Sequence, residues 1–227
     1  MSGISHWSSS QGAGQLRKGL GNETFTNPFT GCIDTAEGQP WKFTDLKCDA
    51  NRKRRPLVVP WKYQSLGRYP DSYGDYSIEG FEGKVAIERK SPEDCWSTVL
   101  GWSKKEKCRT CRGSGKVKDK KGEQVTCEVC CGEGKRTATG RRDRFEKELK
   151  NLSDITAIVI VEAGFSRCLR TIPDTPKKSA ASNRKTFNRS IIAFMQDYKV
   201  PWLFCESRRH AEIEAFRYLE RFWRKNR

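Results

Sequence analysis

Three acidic clusters and one lysine carry the chemistry this sequence could perform. They are Asp34 with Glu37, Asp75 within Gly74-Asp75-Tyr76, and Glu88-Arg89-Lys90 followed by Asp94. Residues 85–88 are a short apolar run leading into charge. On a strand, side chains alternate between faces, so Glu88 and Lys90 share one. Carboxylates in such a set hold Mg²⁺ or Mn²⁺ together with water. The ion would stabilise charge on a phosphate, while the lysine positions or helps deprotonate an attacking water. Each short motif has a plainer reading, since Gly-Asp is a common turn and Glu-x-Lys on an exposed strand an ordinary ion pair. Their joint order, D…GD…ExK, favours the chemical one.

A second constellation is built from sulfur. Cys108 and Cys111 form one C-x-x-C pair, Cys127 and Cys130 another, and 15 residues separate them. That spacing belongs to zinc sites made of two knuckles, with four thiolates suited to tetrahedral Zn²⁺. Gly113, Gly115, Gly132 and Gly134 follow the pairs and allow tight backbone turns. A closed set of four thiolates leaves the ion no open position, so the expected zinc is structural. Cys131 is a spare thiol beside the fourth ligand. Cys32, Cys48, Cys95, Cys168 and Cys205 are scattered and read as buried, inert thiols.

Both constellations need elements to position them. A strand is expected to end at Asp34, with a turn at residues 37–40. Ser91-Pro92-Glu93-Asp94 reads as a helix start: a serine cap, proline at the first position and acids in the first turn. Phe145, Leu149 and Leu152 mark a second helix. Residues 155–161 are a continuous apolar, β-branched run suited to a central strand covered on both faces. Residues 177–185 read as a polar loop before a helix at 186–198. A strand at 202–205 and a last helix at 207–224 follow, the latter with Ala211, Ala215, Leu219 and Phe222 on one side. Alternating strands and helices indicate an α/β fold. The Cys-, Gly- and Lys-rich stretch interrupts it as an insertion. The expected division is a flexible lead (1–22), a catalytic domain (23–103 and 140–227) and an inserted module (104–139).

The charge balance names a partner. Lys and Arg number 44 against 28 Asp and Glu, a net charge of +16. Such an excess points to a polyanion, usually nucleic acid. Seven Trp make this a folded protein and not a basic tail. No apolar run is long enough for a membrane span and the lead has no signal-peptide core, so an intracellular protein is expected. No nucleotide-cofactor motif is read. Lys104, Lys105, Arg109 and Arg112 make the insertion basic, and Arg141, Arg142 and Arg144 follow it. The two histidines, His6 and His210, give little support to a histidine-based nuclease. His210, with Arg208 and Arg209, opens the last helix.

Taken together, Gly74-Asp75-Tyr76, Glu88-Arg89-Lys90-Ser91 and Asp94 resemble the GDY…ERKS…D signature of the XPF-type nuclease family. Residues 33–41 resemble its DTREQQP segment, and residues 140–149 its GRxRFExEL helix. Val161-Glu162-Ala163 is similar to its strand ending in an acid, and residues 207–212 to the tail of compact phage and prophage members. The resemblance runs from about Cys32 to Trp223 apart from the insertion. It implies a restriction-endonuclease-like mixed sheet flanked by helices and metal-dependent DNA cleavage, often at branched DNA. It places Asp34, Asp75, Glu88 and Lys90 at catalytic positions, adds Glu37 to the ligands, and sets basic Arg89 beside the site. Ala36 stands where the family has arginine, which keeps a second expectation open: a DNA-binding or inhibitory protein on a nuclease scaffold. The family's tandem helix-hairpin-helix domain has no counterpart here, and the basic insertion is expected to take over part of its grip on DNA. Relatives commonly pair through terminal helices, so a homodimer is a further expectation. The cysteine halves resemble CxxCxGxG repeats of the DnaJ cysteine-rich domain, two in place of four.

Overall fold

The computed structural model describes residues 24–48, 55–67, 73–102, 105–108, 110–119, 122–137, 140–175 and 178–227. The lead at 1–22 with His6, residues 51–54, Lys104 and Arg109 lie outside the described residues. In chain order, strands β1 (Phe25–Thr26), β2 (Gly31–Asp34), β3 (Leu46–Lys47), β4 (Pro56–Val58), β5 (Trp61–Gln64), β6 (Tyr76–Ile78) and β7 (Val85–Lys90) precede helix α1 (Pro92–Val99). Strands β8 (Lys105–Lys107), β9 (Lys116–Lys118), β10 (Gln124–Thr126) and β11 (Lys135–Thr137) follow. The chain closes with α2 (Arg141–Ser153), β12 (Thr156–Val161), α3 (Phe165–Thr171), α4 (Ala180–Tyr198), β13 (Trp202–Phe204) and α5 (Arg208–Asn226).

The fold is α/β, with a six-stranded mixed sheet in the order β13-β12-β7-β6-β2-β5. β7, β12 and β13 run parallel, β6 is antiparallel to both β7 and β2, and β5 is parallel to β2. The apolar run of β12 is the reason both faces are covered. Ile158 and Ile160 pack with Ile87, Ala215, Phe216 and Leu219 on the α5 side. Val159 and Val161 pack with Ala86, Val99, Phe145, Leu149, Phe187 and Phe194 on the side of α1 to α4. A strand apolar on both faces has to lie between two layers. Ala211, Ala215, Phe216 and Leu219 of α5 are buried in this core, while Ile213, Tyr218, Phe222 and Trp223 are half-buried at its edge. Among the described residues no helix is long and apolar enough to cross a membrane.

Caps set where the helices begin. The Ser91 hydroxyl accepts the Asp94 N–H (3.1 Å) with Pro92 at the first position of α1, as its sequence prescribes. Helix α4 begins at Ala180, six residues before the expected start at 186. Polar residues there are used, not solvated: Ser179 caps the Ser182 N–H, and the buried Asn183 amide donates to the Pro173 carbonyl at 3.1 Å. Close packing at the sheet edge explains Gly31. A Cβ there would lie 1.9 Å from the Trp61 ring, which itself stacks on Phe43 at 3.8 Å.

Strands β8 and β11 pair with each other, as do β9 and β10. Four buried cysteines form their core, with Val117 packed against them.

Candidate active site and candidate metal centre

Register across β2, β6 and β7 decides which side chains meet. Ile33 pairs with Tyr76 and Tyr76 with Ile87, and all three are buried on the α5 side. One position along, Asp34, Asp75 and Glu88 succeed them on the opposite face, because side chains alternate. The Asp34 N–H donates to the Asp75 carbonyl (2.9 Å), and the Asp75 N–H to the Ile87 carbonyl (2.8 Å). Adjacent strands stand about 4.8 Å apart, so this row spans roughly 10 Å. Gly74 admits the chain to it. Its φ is +77°, and a Cβ would lie 2.8 Å from the Ile87 carbonyl oxygen.

Lys90 shares the face of Glu88, as period two requires. Its ammonium contacts Glu88 Oε1, reaches Asp94 at 3.5 Å and lies 4.9 Å from the centre of the Phe145 ring. Glu88 is 2% exposed and Lys90 9%. Glu88 Oε2 is buried with no hydrogen-bond partner. From α2, the Glu148 carboxylate comes within hydrogen-bonding reach of Glu88. Sequence reasoning missed Glu148, although a signal was there: it falls between Phe145 and Leu152 on the apolar arc of the helix, where a carboxylate is unusual.

Crowding of like charges shows in the protonation preferences. Burial, and then repulsion from Glu88, push the Asp75 carboxyl well above its ordinary range. The same two causes raise Glu148. Burial works against the charge on Lys90, but Glu88, Glu148, Asp94 and Asp75 outweigh it and hold the ammonium well above its usual range. A pH dependence follows for Asp75. In the unfolded chain it titrates near about 3.9. The folded protein keeps that proton to higher pH, so its stability falls as pH rises from about 4 through the raised range. Asn at this position retains an acceptor for the Arg89 N–H, which donates to Asp75 Oδ2 at 2.7 Å, and does not titrate. Without divalent ions, the unfolding midpoint of Asp75→Asn minus that of the parent should therefore grow between pH 4 and 7. A difference that stays flat would contradict the assignment.

Arg89 occupies the other face. Its Nε and Nη2 bond Glu162 at 2.8 and 3.0 Å, and Nη1 bonds Glu37 at 3.1 Å. Glu162 also accepts from Trp41 Nε1 (2.6 Å) and Arg208 Nη1 (2.8 Å). Arg208 Nη2 binds the Gln39 and Pro40 carbonyls. This network anchors the segment that leaves Asp34, and it holds Glu37 on the Arg89 side. Asp34 itself receives the Leu66 N–H at 3.0 Å.

The remaining cations differ in what they touch. Arg141 reaches Ser97 (3.0 Å) and Asp94 (3.5 Å), and Arg142 engages Glu146, the Val99 carbonyl and Ser190. Arg144 and Arg112 are exposed.

Asp34, Asp75 and Glu88 offer carboxylate oxygens alone, the donors preferred by Mg²⁺ and Mn²⁺. The unpartnered, buried Glu88 Oε2 is an atom that a cation would satisfy. The donor chemistry therefore suits a hard divalent ion, while among the described residues the oxygens of these three carboxylates do not all lie within 4.8 Å of one another. Among the described residues, the four cysteines are the group of three or more potential ligands whose atoms all lie within 4.8 Å of one another. Sulfurs about 2.3 Å from one tetrahedral ion stand roughly 3.8 Å apart. Cys108 and Cys127 are separated by 3.8 Å, and Cys111 and Cys130 by 3.6 Å. The two knuckles interlock: the Cys127 N–H bonds the Gly115 carbonyl (2.8 Å), and the Cys108 N–H the Gly134 carbonyl (2.9 Å). A Cβ on Gly115 or Gly134 would strike the opposite knuckle's backbone at 2.2 or 2.3 Å. Backbone amides, that of Cys111 foremost, lower the Cys108 thiol to about 6. Cys131 is exposed and outside the cluster.

No protein-family model matches the chain, and no curated protein matches it. Solved structures similar in fold include XPF from Aeropyrum pernix and the same protein in complex with DNA, at 11% and 12% identity. They cover 86% and 88% of this chain, with TM-scores of 0.43 and 0.42. The chain spans 66% of each, just under two thirds of their length.

Proposed function

We propose that this chain is a divalent-metal-dependent DNA endonuclease of the XPF type, with a restriction-endonuclease-like catalytic domain, acting on branched or otherwise structured DNA inside a cell. The observation that carries the reading is the row Asp34, Asp75, Glu88 on one sheet face, with Lys90 set against Glu88. These three carboxylates would hold Mg²⁺ or Mn²⁺. Glu37 would join them only by giving up Arg89. A bound ion supplies Lewis-acid stabilisation of the charge that develops on the phosphodiester. Lys90 presents a fixed ammonium to a water or to the scissile phosphate, with Glu88 and Asp94 setting its direction. Asp94 in turn draws Arg141 to the rim of the site.

The net charge of +16 supports DNA as the partner. In this reading residues 104–139 are an inserted module that folds on one structural Zn²⁺ and presents cations to DNA. Arg112 on its surface and Arg144 on α2 are the exposed candidates among the described side chains. Arg89, Arg141, Arg142, Lys104, Lys105 and Arg109 belong to the same proposal. Residues 1–22 form the lead to the catalytic domain.

The test is cleavage of labelled duplex, single-stranded, flap and four-way-junction DNA with Mg²⁺, Mn²⁺ or EDTA. Products should require the ion, favour the structured substrates and vanish in the Glu88→Ala, Lys90→Ala protein. Tight binding without cleavage under either ion would overturn the reading in favour of a DNA-binding protein on a nuclease scaffold.

A further inference from the structure

The geometry points to Glu148 as a further carboxylate of the divalent-ion site, so that helix α2 and the sheet hold the ion between them. The inference rests on the metal reading of the same site and adds a ligand to it.

Asp34, Asp75 and Glu88 form a line in the plane of the sheet. Ions of this class take their ligands from several directions, near-octahedral for Mg²⁺. A row in one plane leaves the space above it to be filled. Helix α2 crosses that space. Phe145 sits over the Lys90 ammonium at 4.9 Å, and Glu148, three residues on, lies on the same side of the helix. Phe145, Leu149 and Leu152 are all at most 2% exposed, which fixes α2 and with it the position of Glu148. Its carboxylate comes within hydrogen-bonding reach of Glu88, and Glu88 carries one oxygen, Oε2, that is buried and without a hydrogen-bond partner. The other oxygen, Oε1, already holds Lys90. Two carboxylates brought this close repel each other, and either a proton or a cation between them relieves it. Lys90 serves one oxygen of Glu88, which leaves Oε2 and the neighbouring Glu148 carboxylate to take a metal ion. A purely structural carboxylate at this place would be expected to find a donor, as buried polar groups do.

The experiment uses the full, zinc-replete chain and Mn²⁺ as probe. Mn²⁺ affinity is read from the electron paramagnetic resonance of the free ion, and the unfolding midpoint is read with and without Mn²⁺. Glu148→Gln should weaken Mn²⁺ binding by at least about 10–100-fold, the range seen when even an outer partner of a metal site is lost. Its metal-free midpoint should rise, because one like charge is gone and the new amide can donate to Glu88 Oε2. The Mn²⁺-induced gain in midpoint should shrink. Glu146→Gln, whose carboxylate pairs with Arg142, should bind Mn²⁺ as the parent does. Glu88→Gln reports on the site itself. If the parent binds Mn²⁺, Glu88→Gln does not, and Glu148→Gln binds unchanged, the inference fails while the metal reading stands. If the parent fails to bind Mn²⁺, the metal reading fails and takes the inference with it. Should Glu148→Gln not fold, Glu148→Asp, which withdraws the charge by one methylene, carries the same test: weakened binding supports the assignment, and unchanged binding overturns it.

Discussion

Lys90→Met is expected to remove cleavage and weaken the fold, yet to be stabilised by Mn²⁺ more than the parent protein is. Methionine keeps most of the aliphatic stem and deletes the ammonium, which lies 4.9 Å from the centre of the Phe145 ring. Losing a group that positions or activates the nucleophile costs about 10²–10⁴-fold in rate. The cost in stability has a separate cause. Glu88 is 2% exposed and Lys90 contacts it at Oε1. Breaking a buried pair from one side leaves an uncompensated charge and costs about 3–5 kcal/mol. For a chain of this size that lowers the midpoint by roughly 6–20 °C. A divalent ion would then be the positive centre left for both oxygens of Glu88, so the midpoint gained on adding Mn²⁺ should exceed that of the parent. Cleavage rates and midpoints with and without Mn²⁺ separate the two roles. Retained cleavage would remove Lys90 from the chemistry. Lost cleavage with an unchanged Mn²⁺ gain would mean that Lys90 and the ion do not compete for Glu88.

Much of this could be read from the chain, and the parts that could not were hidden for different physical reasons. Local rules were enough for Glu88 and Lys90, which follow an apolar run at period two, and for α1, whose Ser91-Pro92 start is a local signal. The two C-x-x-C pairs were equally local, since each knuckle is closed by its own turns. β12 announced a two-sided core through composition alone. The alignment of Asp34 with Asp75 and Glu88 depends instead on how β2, β6 and β7 pair, and pairing register between distant segments is set by packing of the whole sheet. Glu148 lies within the helix expected over residues 140–149, but its approach to Glu88 depends on how α2 packs over the sheet, which no local pattern shows. Arg89 shows the limit of a linear motif. It stands between Glu88 and Lys90 in sequence, but alternation carries it to the other face, where Glu162 and Glu37 take its donors. The start of α4 was hidden in a polar stretch whose serine and asparagine serve as cap and loop anchor.

Removing zinc should unfold residues 104–139 and leave the six-stranded sheet standing. Among the described residues, the interior of this stretch is its four sulfurs with Val117 against them, and none of its residues belongs to the two clusters on the faces of the sheet. A domain whose core is a metal site loses its fold with the metal, and zinc binding by such sites is worth about 10–16 kcal/mol at pH 7. One zinc per chain is therefore expected. After chelation, proteolytic cuts should be confined to the module while the helical far-ultraviolet signal of α2, α4 and α5 persists. Cys130→Ser should give the same pattern. Cys131→Ser should keep the zinc, because the Cys131 side chain is exposed and lies outside the sulfur cluster. Four thiolates leave no coordination position for a substrate, so the effect on DNA cleavage must run through binding. Chelated protein should need more DNA to reach its maximal rate, show a shallower dependence of affinity on salt, and regain the parent's maximal rate at low salt and saturating DNA. A maximal rate that stays low under those conditions would place the zinc in the chemistry, contrary to a closed four-thiolate site. Module resistance to protease after complete metal removal would show that something other than the ion holds β8 to β11 together.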